Sequence, residues 1–236
     1  MGVSRLTDGP RFPLQVLISL RSIPGSTAIV NAKNQSPLFY KTLLTNRRYY
    51  SMKNIVFLGD SLTAGYGLQS TTTESLPALI QQKINAEQLD YRIINAGVSG
   101  DTSAGGLNRL DYWISQPVDI FVLELGINDV MRGIPPQTTL KNLQGIITKV
   151  KTKYPQVKMA LMGMEIPAFM PIAFAAQFMA IFRQLATANQ MAFVPFFLDG
   201  VAGQAHLNLR DRIHPTAEGY QIIAAKVWPV LRQLMV

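Results

Sequence analysis

Ile55-Val56-Phe57-Leu58-Gly59-Asp60-Ser61-Leu62-Thr63-Ala64-Gly65-Tyr66-Gly67 is the stretch from which the rest of the chain can be read. Four apolar residues, two of them β-branched, followed by glycine predict a buried strand that ends in a tight turn. Ser61 stands just past that turn, where a following helix would surround it with backbone N–H groups and little side-chain crowding. That is a favourable place for a nucleophile. A serine hydroxyl is inert at neutral pH unless a base activates it, so the reading requires a base elsewhere in the chain.

The chain has two histidines, which makes the search short. His214 stands in Asp211-Arg212-Ile213-His214-Pro215, with a carboxylate three residues upstream and a proline behind it. An aspartate at that distance can hold one imidazole nitrogen and leave the other free to take a proton from Ser61. His206 lies in a polar stretch without a nearby acid and reads as a loop residue.

From Met52 onward, strand-like and helix-like patterns alternate. Strands are predicted at Ile55–Leu58, Arg92–Asn95, Ile120–Leu125, Lys158–Met162 and Ala192–Phe196. Between them, Leu140, Leu143, Ile147 and Val150 give one apolar helix face opposite Lys141, Lys149 and Lys153. Glu74 to Ala86 reads as a second helix, with Pro77 in its first turn. Ala217 to Leu234 reads as a third, bent at Pro229. Continuous apolar strands separated by helices indicate a parallel sheet covered on both faces: an α/β, flavodoxin-like three-layer sandwich with a five-stranded parallel sheet. Functional residues of such sheets gather at the C-terminal strand ends. Ser61, the segment Asn95 to Asp101, and the segment Gly126 to Asp129 all fall there. A glycine N–H and an asparagine amide at these ends could supply donors for a developing oxyanion.

Taken in order, G-D-S-L at Gly59–Leu62, S-G-D-T-S at Ser99–Ser103, G-x-N-D at Gly126–Asp129 and D-x-x-H-P at Asp211–Pro215 resemble the SGNH (GDSL) hydrolase family, nearest its thioesterase I/arylesterase/lysophospholipase branch. The resemblance spans nearly all of Met52 to Val236. It implies a serine hydrolase of carboxylic esters or thioesters that works through an acyl-enzyme and needs no cofactor or metal. It further implies Ser61 as nucleophile, His214 as base and then acid, and Asp211 as the group that orients His214. The N–H groups of Ser61 and Gly100, with the Asn128 amide, would form the oxyanion hole.

Departures from the family pattern bear on specificity. Ile127 stands where many relatives have a second glycine, Val130-Met131 where small residues are common, and Arg212 where a glycine is common. Val130, Met131 and Ile134 are expected to narrow or reshape the acyl pocket, and Met131, Ile166 and Ile213 to contact substrate. Ile166 opens the apolar segment Ile166-Pro167-Ala168-Phe169-Met170, which reads as core with room for acyl-chain contact. Asp60 is expected to form structural hydrogen bonds rather than react. Glu124, read as mid-strand, is expected to be a poor acid catalyst unless it reaches the strand end. Asp101 and Asp129 are expected to tie loops together. Two rival readings are a carbohydrate O-acetyl esterase and a flavodoxin-like binding protein cradling phosphate on Gly59–Gly67. The latter lacks a P-loop lysine and leaves the Asp211/His214 pair unused.

Bulk properties narrow the field further. With 236 residues, 48% hydrophobic and 15% charged, the chain suits a globular core. Its lack of cysteine excludes disulfides, thiolate metal sites and a cysteine nucleophile. The net charge of +8 is concentrated at one end: residues 1–51 hold seven Lys/Arg and one acid, leaving 15 Lys/Arg against 13 acids in the remainder. A nearly balanced body without a basic stripe argues against nucleic acid as partner. Residues 1–51 read as a flexible basic extension, either a targeting leader or sequence upstream of a start at Met52. Residues 52–236 read as the hydrolase domain. No stretch has the roughly 18–20 apolar residues needed to span a bilayer. The protein is expected to be soluble, in the cytoplasm or periplasm, with a small-molecule ester or thioester as its partner and its oligomeric state open.

Overall fold

The computed structural model describes residues 52–166 and 172–235. The N-terminal extension, and Phe169 with its neighbours at 167–171, lie outside the described residues. In chain order the elements are β1 (Lys53–Gly59), α1 (Ser61–Ala64), α2 (Thr71–Glu74), α3 (Leu76–Ala86), β2 (Tyr91–Gly97), α4 (Ser103–Trp113), β3 (Ile120–Glu124), α5 (Ile127–Met131), α6 (Pro136–Lys153), β4 (Lys158–Met162), α7 (Ile172–Ala188), β5 (Ala192–Val194) and α8 (Ala217–Leu234).

The five strands form one parallel sheet in the order β2-β1-β3-β4-β5. Alternation along β1 sends Val56 and Leu58 to one face, where they join Leu110, Leu143, Ile147 and Phe178 from α4, α6 and α7. Ile55 and Phe57 go to the other face, with Leu76, Ile80, Tyr220, Ile223 and Val227 from α3 and α8. Each large side chain so buried contributes about 1.5–3 kcal/mol relative to exposure. Helices on both faces are therefore a requirement of strands that are apolar on both faces.

The predicted elements are all present, with shifted ends. β5 stops at Val194, because Pro195 has no N–H to extend the ladder. The helix expected from Glu74 starts at Leu76, after the separate turn α2, and its Ser75 cap accepts from the Ala78 N–H. α8 runs from Ala217 to Leu234 through Pro229. After the segment at 167–171, the chain forms the long helix α7. Among the described residues no helix is long and apolar enough to cross a membrane.

β2 lies on one side of β1 and β3 on the other, so the chain switches direction across the sheet between β1 and β3. A crevice opens at the C-terminal ends of such strands. Arg109 of α4 fixes that edge. Its Nη1 donates to the Ala96 carbonyl at 2.7 Å and its Nη2 to the Gly59 carbonyl at 2.9 Å, while Nε pairs with Asp101 at 2.6 Å. The ends of β1 and β2 and the loop after β2 are thus held to one side chain.

Candidate active site

Ser61 is the first residue of α1, and Asp60 caps that helix: its Oδ1 accepts from the Leu62 N–H at 2.9 Å. The next turn ends at Gly65 and Gly67, both with positive φ. A Cβ at Gly67 would come within 2.3 Å of the Leu209 side chain, so only glycine lets the 208–215 loop pack this closely. That loop is a small hairpin. Leu209 N–H donates to the His214 carbonyl at 2.7 Å and Thr216 N–H to the Leu207 carbonyl at 2.8 Å, while Asn208 Nδ2 ties its base to the carbonyls of Val201 and Gln204. From α8 the Tyr220 hydroxyl donates to the Leu62 carbonyl at 2.8 Å. The helix that opens with Ser61 and the helix that follows His214 are therefore tethered directly.

These anchors bring together three side chains separated by up to 153 positions. His214 Nε2 lies 2.9 Å from Ser61 Oγ, and His214 Nδ1 lies 2.7 Å from Asp211 Oδ2. With Nδ1–H donating to the carboxylate, Nε2 is left to accept the serine proton. Asp211 Oδ1 also accepts from the N–H groups of Ile213 and His214. Desolvation pulls the Asp211 pKa upward, but the hydrogen bonds from the His214 ring and from these two N–H groups outweigh it and hold the carboxyl below its ordinary value. The Tyr66 ring packs against the imidazole with centroids 4.6 Å apart. Arg212, between the two members of this pair, adopts φ +58, the left-handed conformation that glycine takes without strain.

The oxyanion candidates occupy the neighbouring strand ends. Gly100 has φ +79, and a Cβ there would meet only the tip of Arg132 at 3.7 Å, so backbone conformation rather than crowding favours glycine. Arg132 Nη2 donates to the Gly100 carbonyl at 2.6 Å, bridging the loops after β2 and β3. Asn128, in α5, donates from Nδ2 to Asp60 Oδ2 at 3.0 Å and to the Asp101 carbonyl at 2.9 Å. Its amino end is thereby fixed between the same loops.

Beneath Ser61 is a group that sequence reading did not assemble. Glu124 is the last residue of β3, not mid-strand, and the register Gly59↔Glu124 sets it beside the turn before Ser61. Its Oε2 accepts from Thr63 Oγ1 at 2.7 Å and from the Asp60 N–H at 3.3 Å. Burial, and the Asp60 charge, push the Glu124 carboxyl well above its ordinary pKa. Burial likewise pushes Asp60 up to about 6, against the opposing pulls of the Leu62 N–H, the His214 charge and the Asn128 amide. Asp101 and Asp129 tie loops as expected. Asp101 pairs with Arg109, and Asp129 accepts from Ser103 N–H at 2.8 Å, from the Ser103 hydroxyl and from Thr139 Oγ1 at 2.9 Å.

The expected substrate contacts divide. Met131 is 52% exposed and Ile213 47%, while Ile166 is half-buried against the core. Val130 cannot narrow a pocket as expected, because α5 turns it into the core, where it is buried. Gly126, at φ +137, faces Phe178, Phe182 and Met164, with the nearest contact to a Cβ built there at 3.0 Å.

The sequence model of the GDSL-like Lipase/Acylhydrolase family matches residues 57–222. The chain belongs to that family. Family members are serine-type hydrolases of carboxylic esters, and this protein is one, with ester-bearing small molecules as substrates. It is 34% identical over 184 residues to esterase TesA of Pseudomonas aeruginosa, covering 78% of this chain and 90% of that protein. It is also 34% identical over 189 residues to thioesterase 1/protease 1/lysophospholipase L1 of Escherichia coli strain K12, covering 80% of this chain and 87% of the relative. Among solved structures, TesA superposes with TM-score 0.73 at 34% identity, over 77% of this chain and 99% of that one. The esterase EstA from Pseudoalteromonas sp., inhibited by monoethylphosphonate, superposes with TM-score 0.71 at 32% identity, over 77% of this chain and 97% of that one. The GDSL-like assignment thus rests on both sequence and fold.

Proposed function

We propose that Ser61 is the nucleophile of this hydrolase, that His214 is its base and acid, and that Asp211 orients His214. The substrates in this reading are esters and thioesters with apolar acyl groups. The observation that carries it is the unbroken hydrogen-bond chain from Asp211 through His214 to Ser61 Oγ. Ser61 Oγ attacks the carbonyl carbon as its proton passes to His214 Nε2. The carbonyl π electrons move to oxygen, and the resulting oxyanion is received by the N–H groups of Ser61 and Gly100 and by the Asn128 amide, which turns one of its two N–H bonds, held in the free enzyme by Asp60 Oδ2 and the Asp101 carbonyl, to the oxyanion as it forms. When the tetrahedral intermediate collapses, the bond to the alcohol or thiol breaks and His214 protonates the leaving group. Water, deprotonated by His214, then repeats the attack on the acyl-enzyme, and the acid departs as Ser61 regains its proton.

An apolar acyl group is supported by half-buried Ile166, packed at the edge of the core after β4. Met131, at the end of α5, and Ile213, on the hairpin loop, are exposed apolar side chains near Ser61, and in this reading they contact the acyl or leaving group. The names of the relatives, esterase, arylesterase and thioesterase/lysophospholipase, support the same range of leaving groups.

Hydrolysis of p-nitrophenyl acetate, butyrate, octanoate and palmitate by wild type and Ser61→Ala tests the proposal. Wild type is expected to turn over and Ser61→Ala to lose about 10⁴-fold or more. A clear wild-type rate that survives in Ser61→Ala would remove Ser61 from the mechanism. A rate that peaks at acetate would shift the substrate class toward O-acetyl esters.

A further inference from the structure

Two carboxyl groups share the buried space behind Ser61, and among the described residues neither forms an ion pair. Asp60 and Glu124 are essentially inaccessible to solvent. Asp60 accepts two N–H donors, from Leu62 and from the Asn128 amide. Glu124 Oε2 accepts from Thr63 and Asp60, but its Oε1 is buried with no hydrogen-bond partner. The surrounding chain makes room for this arrangement. A Cβ at Gly59 would lie 2.0 Å from Thr63 Oγ1 and 2.6 Å from Glu124 Oε2. The charged and titratable groups facing the pair are His214 from the hairpin loop, Tyr220 from α8 and Arg109 from α4. Arg109 is occupied by Asp101 and two carbonyls. Burial, reinforced by the neighbouring carboxyl pair, pushes the Tyr220 phenol far above its ordinary pKa, so it remains a neutral donor.

Two carboxylates in one dry site without a cation cannot both ionise. The hydrogen-bond inventory says which one keeps the proton. Asp60 has two N–H donors to stabilise a charge, whereas Glu124 has an oxygen that no donor reaches. We propose that Glu124 and Asp60 hold a single proton between them, resident on Glu124, and act as a positioning pair that keeps the amino end of the Asn128 amide turned toward the reaction centre. This rests on the assignment of Asn128 to the oxyanion hole made above. The mechanism is one of donor and acceptor matching. An anionic Asp60 offers Oδ2 only as an acceptor, so Asn128 must present Nδ2–H to it, and the Asp101 carbonyl demands the same orientation. A protonated Asp60 could face Asn128 with a donor instead. That would favour the flipped amide, whose carbonyl oxygen would repel an oxyanion. A protonated Glu124 prevents this by leaving the charge to Asp60: Glu124 lies against Asp60 through the Asp60 N–H, and its undonated oxygen makes it the acid that keeps the proton. Thr63 holds the acid in place.

The test uses the full-length chain with Asp60→Asn, Glu124→Ala and Glu124→Gln, measuring kcat and KM on the preferred p-nitrophenyl ester beside melting temperature. Asp60→Asn places an amide where an acceptor-only group belongs, and kcat is expected to fall about 10–100-fold with KM changed little, part of the 10²–10³ of a lost oxyanion donor. Glu124→Ala is expected to lose kcat similarly, and Glu124→Gln, which keeps a neutral donor of the same shape, to recover most of it. Infrared spectroscopy reads the proton directly. A protonated-carboxyl C=O stretch is expected at neutral pH in wild type and is expected to vanish in Glu124→Gln. The proposal is overturned by an Asp60→Asn enzyme with wild-type kcat, by a Glu124→Gln enzyme as impaired as Glu124→Ala, or by absence of the stretch in wild type. If Glu124→Ala does not fold, the Asp60→Asn and infrared results still decide. Failure of the parent reading is separately visible as a wild type that neither turns over ester nor takes up a fluorophosphonate at Ser61.

Discussion

Ser61 stands between two acid stations built in opposite ways. On the solvent side, Asp211 sits on an exposed hairpin, accepts three hydrogen bonds within its own short loop and has its pKa held down. On the core side, Asp60 and Glu124 are sealed under the turn before the nucleophile, have fewer donors than acceptor sites and are pushed up. The exposed acid can afford a permanent charge because water and local N–H groups solvate it. The buried pair has to economise on charge, since each ionised group there lacks both water and a counter-ion. Both stations meet around Ser61: Asp211 contacts the His214 ring, which contacts Ser61, and Asp60 contacts the Asn128 amide.

Breaking the open station gives the largest expected effect. Asp211→Ala removes the acceptor that orients the ring and stabilises the imidazolium, so kcat is expected to fall about 10²–10⁴-fold. Steady-state kinetics beside a thermal melt would check it, and a loss under tenfold in a folded variant would take Asp211 out of the catalytic chain. Asn128→Ala follows, with an expected loss of about 10²–10³ in turnover in a protein that still folds. Near-full activity there would remove both Asn128 and the buried pair's proposed task.

The smallest effect sharpens the contrast itself, through the pH dependence of stability. A carboxyl whose folded pKa is raised binds more protons folded than unfolded, so its contribution falls as pH rises from its unfolded pKa through its folded value. For Asp60 that window runs from 3.8 to about 6 and corresponds to a loss on the order of 3 kcal/mol by neutral pH. For Glu124 it begins at 4.5 and extends well above. Asp211 has the reverse sign: its contribution is present above the ordinary aspartate pKa and is lost as pH falls through its lowered folded value. Urea denaturation at stepped pH is therefore expected to show wild type losing stability relative to Glu124→Gln as pH rises, and relative to Asp211→Ala as pH falls. Parallel curves for wild type and Glu124→Gln would mean that the Glu124 carboxyl has the same pKa folded and unfolded, which contradicts its burial.

Much of this site was legible because its residue types are scarce and their local spacing is short. One histidine with an acid three residues upstream, one serine behind a strand-ending glycine, and a glycine and an asparagine in loops after apolar strands left few alternatives. The buried station was not legible. Asp60 could be read as structural from its place beside Ser61, but Glu124 becomes its neighbour only because β3 pairs with β1 in the register that sets Gly59 against Glu124. Arg109 was similarly silent. Its position on a helix gives no sign that it reaches the ends of β1 and β2, and Tyr66 shows its contact with His214 only once the hairpin is folded over it. Val130 was misjudged because it adjoins exposed Met131 in sequence, while the helix turns it, like Asp129 before it, inward.

The sequence by itself determined the α/β architecture, the order of the motifs and the identities of the chemically competent side chains, since strand burial, turn formation and the rarity of histidine are all written in local composition. Only the tertiary structure decided which carboxyls share a dry space, which oxygen lacks a donor and which way the Asn128 amide is held. Those properties depend on distances between segments far apart in the chain, and burial, through desolvation, sets the cost of each charge.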